Sequence, residues 1–342
     1  MINIKVVSFF NNKGGVGKTT LSVNIASFVA KKYEKRVLFI DVDPQSNSSQ
    51  IILNDELRDK VYARGSNLTT LLTYLQPLFV GEPQINKECT PLPKDQNRFS
   101  VDLIPGHPKI SLIEDILSEA WTNCVGGKIG GFRITNWLKS LVLNLSDQYD
   151  LIFIDMGPSL GALNRSVLLN SDYFIAPMGC DIFSLMGIEN IATWIIGWNS
   201  AYQRAIENIK VSFPDDIKIY PITLDIQNNF RLLGFSVQQY ITKVIDGERR
   251  GIRAYEDIMV KIPDIVNENL NSFFPEGLNI SDLVLGHIPH LYSLVPLAQT
   301  NNCPIHDLKA ADGIVGNHFK MVKQYSELMD EVCLKLIKNM ER

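Results

Sequence analysis

The sequence predicts an α/β fold: a doubly wound, mainly parallel sheet with helices on both faces and one helical insertion. Two observations carry this. Short apolar runs alternate with segments of helical period from one end of the 342-residue chain to the other. The runs are also apolar throughout rather than alternating with polar residues, as expected of parallel strands covered on both sides. A third observation fixes the start of the fold. The first run leads through a glycine-rich turn, Lys13-Gly14-Gly15-Val16-Gly17-Lys18-Thr19-Thr20, straight into an amphipathic segment.

Strands are predicted at Lys5–Phe10, Val37–Val42, Val101–Ile104, Leu151–Ile154, Tyr173–Pro177, Ile217–Leu224 and Leu283–Ile288. Helices are predicted at Thr19–Lys32, Ile110–Trp121, Ile134–Leu145, Leu163–Asn170, Leu185–Ile206 and Phe235–Ile245. Residues 1–342 are expected to form one domain with two departures from the alternation. The stretch 54–98, rich in glycine and proline around a helix at Leu68–Leu78, is expected to be a loop-rich excursion. The stretch 246–281 is expected to be a helical insertion, with helices at Tyr255–Val260 and Ile265–Phe273. Near the C-terminus, Phe319, Val322, Tyr325, Met329, Val332, Leu336 and Met340 form one helical stripe. Its mixed charges predict a helix packed on the sheet, not one lying on a membrane.

Composition narrows the function classes. With 45% hydrophobic and 20% charged residues the chain can bury a core. A formal charge of −4 excludes a generally basic nucleic-acid coat, so DNA contact has to come from a local patch. Cys89, Cys124, Cys180, Cys303 and Cys333 are scattered without a C-x-x-C pair, the pattern of reduced thiols. Neither a signal peptide nor an apolar run of membrane-spanning length appears, and a cytoplasmic location is expected.

The glycine-rich turn sits between strand and helix, the context a phosphate loop requires. Gly14, Gly15 and Gly17 allow a tight turn with inward N–H groups, and the following helix adds its positive end. Lys18 is placed for the β- and γ-phosphates, Thr19 for Mg²⁺, and Thr20 for the α-phosphate. After the second strand, Asp41 and Asp43 share one face because alternate strand residues point the same way. Two carboxylates beside a phosphate loop are suited to Mg²⁺ or to an attacking water. Leu151-Ile152-Phe153-Ile154-Asp155 is the Walker-B arrangement, a buried strand delivering one acid to the Mg²⁺ shell. The nucleotide is expected to be ATP, since no N-K-x-D tetrapeptide for guanine occurs.

One departure from the ordinary phosphate loop is informative. Asn12 stands where the usual pattern has glycine, and Lys13 precedes the double glycine. Lys13–Thr20 thereby resembles the K-G-G-x-G-K-[ST]-T signature of the deviant Walker-A ATPases, the group that includes ParA, MinD and the nitrogenase iron protein. Asp41-Val42-Asp43-Pro44-Gln45-Ser46-Asn47 is similar to the ParA switch I pattern D-x-D-P-Q-x-N. Asp155-Met156-Gly157-Pro158-Ser159-Leu160 is similar to its switch II pattern D-x-P-P-S-L, with Gly157 in place of the first proline, which puts the rigidity of that segment in question. Further similarity lies at Asp181–Ile188, Ile288-Pro289, Leu297–Gln299 and Pro304-Ile305. The cluster cysteines of the nitrogenase branch and the basic membrane helix of the MinD branch are missing, so ParA fits best.

The resemblance implies a Mg²⁺–ATP-dependent homodimer in which Lys13 crosses to the partner's phosphates, acting as a catalytic residue with Lys18 and Asp43. Asn12 through Thr20 would bind nucleotide, with adenine contacts expected near Thr223 and Pro289. Thr19, Asp41 and Asp155 would serve the metal. It also implies nonspecific DNA binding, with nucleoid association if that holds, and a ParB-like or other activating partner. Arg231, Arg249, Arg250 and Arg253 are the DNA candidates, the last three lying within five residues of each other. No helix-turn-helix precedes the phosphate loop in this sequence, so operator recognition is not expected. The rival reading keeps the ATP switch but places it in a regulatory or defence complex with DNA binding incidental.

Overall fold

The computed structural model describes residues 4–226, 229–240, 242–245, 248–251 and 253–342, without the side chains of 239–255. The strands in chain order are β1 (Lys5–Phe9), β2 (Val37–Asp41), β3 (Asp102–Ile104), β4 (Leu151–Asp155), β5 (Tyr173–Gly179) and β6 (Arg231–Tyr240). They continue with β7 (Thr242–Ile245), β8 (Glu248–Gly251) and β9 (Val284–Pro289). Seven of them make one sheet in the order β3-β2-β4-β1-β5-β6-β9, with all neighbours parallel. β7 and β8 pair antiparallel as a ribbon just beyond the C-terminal end of β6.

The sheet divides the core. On β1, Val6 packs to one face and Val7 to the other; Leu38 and Phe39 on β2, and Ile152 and Phe153 on β4, divide the same way. This explains the unbroken apolar runs, because each strand has to satisfy a hydrophobic layer on either side. Helices α1 (Lys18–Lys32), α2 (Asn47–Ile52), α3 (Asp55–Tyr62), α4 (Leu71–Phe79), α5 (Ile113–Val125), α6 (Ile129–Thr135) and α7 (Trp137–Asn144) precede or follow the first four strands. After them come α8 (Ala162–Leu168), α9 (Ile182–Ser212), α10 (Asp216–Ile219), α11 (Arg253–Leu270), α12 (Ile280–Leu283), α13 (Leu294–Thr300) and α14 (His318–Glu341). Helices α1, α13 and α14 cover one face, and α4, α5, α7, α8, α9 and α11 cover the other. None of the described helices is long and apolar enough to cross a membrane.

Two sequence expectations are corrected. The helix expected at Phe235–Ile245 is strand β6 and the start of the ribbon, and the strand expected at Ile217–Leu224 is the turn α10 followed by irregular chain. The first error has a physical cause. Phe174 pairs with Leu232 but Ile175 pairs with Gly234, so Leu233 is the extra residue of a bulge. Beyond the bulge, Ser236, Gln238 and Gln239 interrupt the apolar run by which the other strands of the sheet are read. In the second case Pro221 lacks an N–H for a ladder, and Ile222 and Ile226 pack into a satellite cluster with Tyr202 and Ile206 of α9. The stretch 54–98 carries α3 and α4, whose Leu71, Tyr74 and Leu75 are fully buried. Within 246–281, one continuous helix, α11, replaces the two expected pieces and packs on α9.

Candidate nucleotide and metal site

The parallel strands all end on one edge, and the functional side chains converge there. β1 feeds the phosphate loop, in which Gly15 (φ 76°) and Gly17 (φ 77°) adopt the left-handed conformation that favours glycine. Asn11 staples the loop to the sheet: its Nδ2 donates to the Pro177 carbonyl at 2.7 Å, and its Oδ1 accepts from the Lys13 N–H at 2.9 Å. Gly17 caps α1 without a side-chain partner, so the first amides of that 15-residue helix face the loop free of any capping side chain. Lys18, only 7% exposed, is pulled below its usual pKa by burial, while Asp155 and Asp43 oppose the shift.

Asp41 and Asp155 lie opposite each other on β2 and β4 and are fully buried. Their environments differ. Asp41 accepts from the Ser49 N–H (2.8 Å), the Ser49 hydroxyl (2.6 Å) and the Asp43 N–H (3.2 Å). Both Asp155 oxygens are buried without a hydrogen-bond partner among the described residues. Burial lifts the Asp155 carboxyl to about 7, and the charge of Asp41 adds to the rise. Lys18 and the Thr19 hydroxyl pull the other way without completing a hydrogen bond. An orphaned carboxylate beside Lys18 and Thr19 is the donor set a hydrated divalent cation needs. Asp41 is already engaged in holding the start of α2.

Asp43 is 7% exposed and accepts from the Gln45 N–H at 2.9 Å. Its carboxylate reaches toward switch II because Gly157 has no side chain: a Cβ there would stand 3.2 Å from Asp43 Oδ1. Gly14, Gly15, Gly17, Lys18, Thr19, Thr20, Asp43 and Pro158 share an open cleft of about 750 Å³ with Arg58, Gln299 and others. Arg58, brought in by α3, was not singled out from the sequence; lying in the excursion 54–98, it has no motif to mark it.

Beside the loop, a pocket of about 210 Å³ is lined by Gly17, Thr20, Gln238, Pro289, His290 and Tyr292 among others. Pro289, expected near the adenine, lies in this pocket. Thr223 is elsewhere. Its hydroxyl donates to Asn170 Oδ1 at 2.8 Å and its N–H to Asn136 Oδ1 at 3.0 Å, in a buried polar cluster with Tyr202. Gln238 was missed because it sits on the strand mistaken for a helix.

Lys13 forms an ion pair with Asp181 of its own chain, and its ammonium lies 5.8 Å from the Phe183 ring centroid. Asp181 also caps α9 by accepting from the Ser184 N–H at 3.1 Å. Asn12 Oδ1 is buried against Gly187 without a hydrogen-bond partner among the described residues, and a Cβ at Gly187 would approach it to 3.1 Å. Arg231 opens β6 and donates to the Ser272 carbonyl at 3.0 Å. Arg249 lies in β8 and Arg253 opens α11; with Arg250, also in β8, their side chains lie outside the described residues. Arg231 and the ribbon are at opposite ends of a ten-residue strand, roughly 30 Å apart at about 3.3 Å per residue, so the four arginines do not form one patch.

The family model AAA_31, described as an AAA domain, matches residues 4–208, which hold the phosphate loop and both switch segments. A chromosome partitioning protein ParA of Myxococcus xanthus is 27% identical over 222 residues, 64% of each chain. The chain belongs to the ParA family of partition-type ATPases. Among solved structures, protein DIP2308 of Corynebacterium diphtheriae is 35% identical with a TM-score of 0.73, covering 87% of this chain and 97% of that one. The pNOB8 ParA structure is 18% identical with a TM-score of 0.58 over 99% of both chains, a likeness of fold. This ParA-family chain spans 62% of the length of a Methanocaldococcus jannaschii relative with which it is 34% identical.

Proposed function

We propose that this chain is a Mg²⁺–ATP-dependent dimerising switch that hydrolyses ATP and serves DNA partition or the positioning of another cargo. The observation that carries the reading is Asp155: a fully buried carboxylate without a hydrogen-bond partner among the described residues, at the end of a central strand, next to Lys18 and Thr19. Leaving a charge so placed is costly unless a cation meets it. Thr19 and Asp155 would hold the Mg²⁺ ion with its water shell, and the ion would neutralise phosphate charge. The phosphate-loop amides and Lys18 bind the triphosphate, Gln238 and Pro289 flank the base, and Asp43 orients the attacking water.

Lys13 acts across a homodimer, after leaving Asp181, and its charge then stabilises the transition state in the partner's site. The lysines and arginines of the ribbon region (Lys243, Arg249, Arg250 and Arg253) supply nonspecific DNA contacts through phosphate, and a ParB-like partner stimulates turnover. Family membership and the partitioning role of the Myxococcus relative support this biology.

The test is the mass of the protein in solution with Mg²⁺–ATP for the native chain, Asp43→Ala and Lys13→Ala. A dimer that forms only with ATP, accumulates in Asp43→Ala and is lost in Lys13→Ala is expected. A monomer under all conditions would remove the dimerising switch, and absence of phosphate release would remove the hydrolase.

A further inference from the structure

We infer that Asn164 is the positioning residue of switch II, supplying from outside the segment the rigidity that Gly157 does not provide from within. The inference rests on the proposed ATP hydrolysis. Asn164 lies in the first turn of α8 and is 2% exposed. Its Nδ2 donates to the Gly157 carbonyl at 2.7 Å and to the Ser159 carbonyl at 2.7 Å, with the Ser159 hydroxyl at 3.3 Å. An amide nitrogen carries two hydrogens, and both are committed to the backbone of the segment that follows Asp155.

The anchor is itself anchored. Glu114 of α5 reaches across so that Oε2 accepts from the Ala162 N–H at 2.7 Å and the Leu163 N–H at 3.2 Å. A carboxylate suits the positive end of a helix. The approach requires Gly161, since a Cβ there would come within 2.6 Å of Glu114 Oε1. One residue after Asn164, the Arg165 guanidinium lies 4.4 Å from the Trp121 ring centroid and 5.8 Å from that of Trp198. α8 is thus fixed to α5 and α9 before it reaches back to the loop.

What the clamp controls is the distance between Gly157 and Asp43. Gly157 has the widest backbone freedom of any residue, and it abuts the carboxylate assigned to the attacking water. With the Gly157 and Ser159 carbonyls both tied to one buried amide, the peptide facing Asp43 has a single arrangement. A misplacement of about 1 Å at such a point costs up to about 100-fold in rate.

The experiment compares the native chain with Asn164→Ala and Asn164→Asp, which removes the donors at nearly constant volume. Three quantities are read: kcat and KM for Mg²⁺–ATP, the affinity for a fluorescent ATP analogue, and hydrogen exchange of the Gly157, Ser159, Leu160 and Gly161 amides. Expected are a kcat lowered about tenfold or more, KM and affinity within about twofold, and faster exchange confined to 157–161. If Asn164→Ala does not fold, Asn164→Gln, which keeps the donors one carbon further out, gives the same readouts. Unchanged kcat in a chain that hydrolyses ATP overturns the inference, as does a joint loss of affinity and stability without local exchange. If the native chain releases no phosphate, the hydrolase reading fails, and unchanged exchange at 157–161 then overturns the clamp independently.

Discussion

Asp41 and Asp155 stand opposite each other on neighbouring strands, equally buried, yet among the described residues only Asp41 completes hydrogen bonds. Serine 49 and the Asp43 amide satisfy one acid, and the other is left to whatever binds beside Lys18. Burial raises both carboxyls from 3.8, Asp41 to about 6 and Asp155 to about 7. The folded chain therefore holds protons that the unfolded chain releases. Their favourable effect is complete below about pH 4 and is lost as pH rises toward 7. Without Mg²⁺ and nucleotide, the melting temperature is expected to fall between pH 5 and pH 8. With both added the slope should flatten. Differential scanning calorimetry across that window decides, and a melting temperature that rises with pH in the free protein would contradict the assignment.

Asp155→Asn keeps the shape and removes the charge. The free protein should melt higher at pH 8, because an unpaired buried carboxylate is gone. Mg²⁺-dependent nucleotide affinity should fall at least about tenfold, which titration calorimetry with and without Mg²⁺ would detect.

Lys13 and Asp181 test whether the intrachain pair holds the lysine back. Asn is as good a helix cap as Asp, so Asp181→Asn removes the ion pair while leaving α9 capped. A partly exposed pair is worth at most about 1 kcal/mol and each protomer gives up one, so the ATP-dependent dimer should form at up to roughly 30-fold lower protein concentration. Light scattering during size exclusion measures this, and weaker dimerisation would show that the pair supports closure.

Gly157→Ala puts a methyl 3.2 Å from the Asp43 carboxylate. Turnover should drop about tenfold with nucleotide affinity kept, since neither residue carries the phosphate contacts. Steady-state phosphate release beside a binding titration checks the separation.

Thr223, expected near the adenine, lies in a buried polar cluster, whereas Gln238 lines the pocket proposed for the base. Thr223→Val strips a donor from a buried amide network and should cost about 1–3 kcal/mol of stability with unchanged nucleotide affinity. Gln238→Ala should weaken nucleotide binding with little change in melting temperature, because Gln238 lines the pocket proposed for the base.

The phosphate loop, both switch acids and the Walker-B strand were legible in the sequence because each is a contiguous run. A tight turn needs its glycines in place, and a strand buried on both faces needs an unbroken apolar stretch ending in the functional acid. A mainly parallel sheet followed from the same alternation, although one strand was misplaced and β6 was missed. Tertiary structure alone decided the rest. Polar Ser236, Gln238 and Gln239 concealed β6, and with it the pocket beside the phosphate loop that Gln238 lines. Ser49, Asn164 and Glu114 carry no motif, and the similarity at Asp181–Ile188 did not show the Lys13 pair; each matters through a hydrogen bond or ion pair to a group placed by another segment. Two acids that look alike in the sequence were separated by their surroundings, since a carboxylate's chemistry is set by the donors packed against it and those come from wherever the fold brings the chain back.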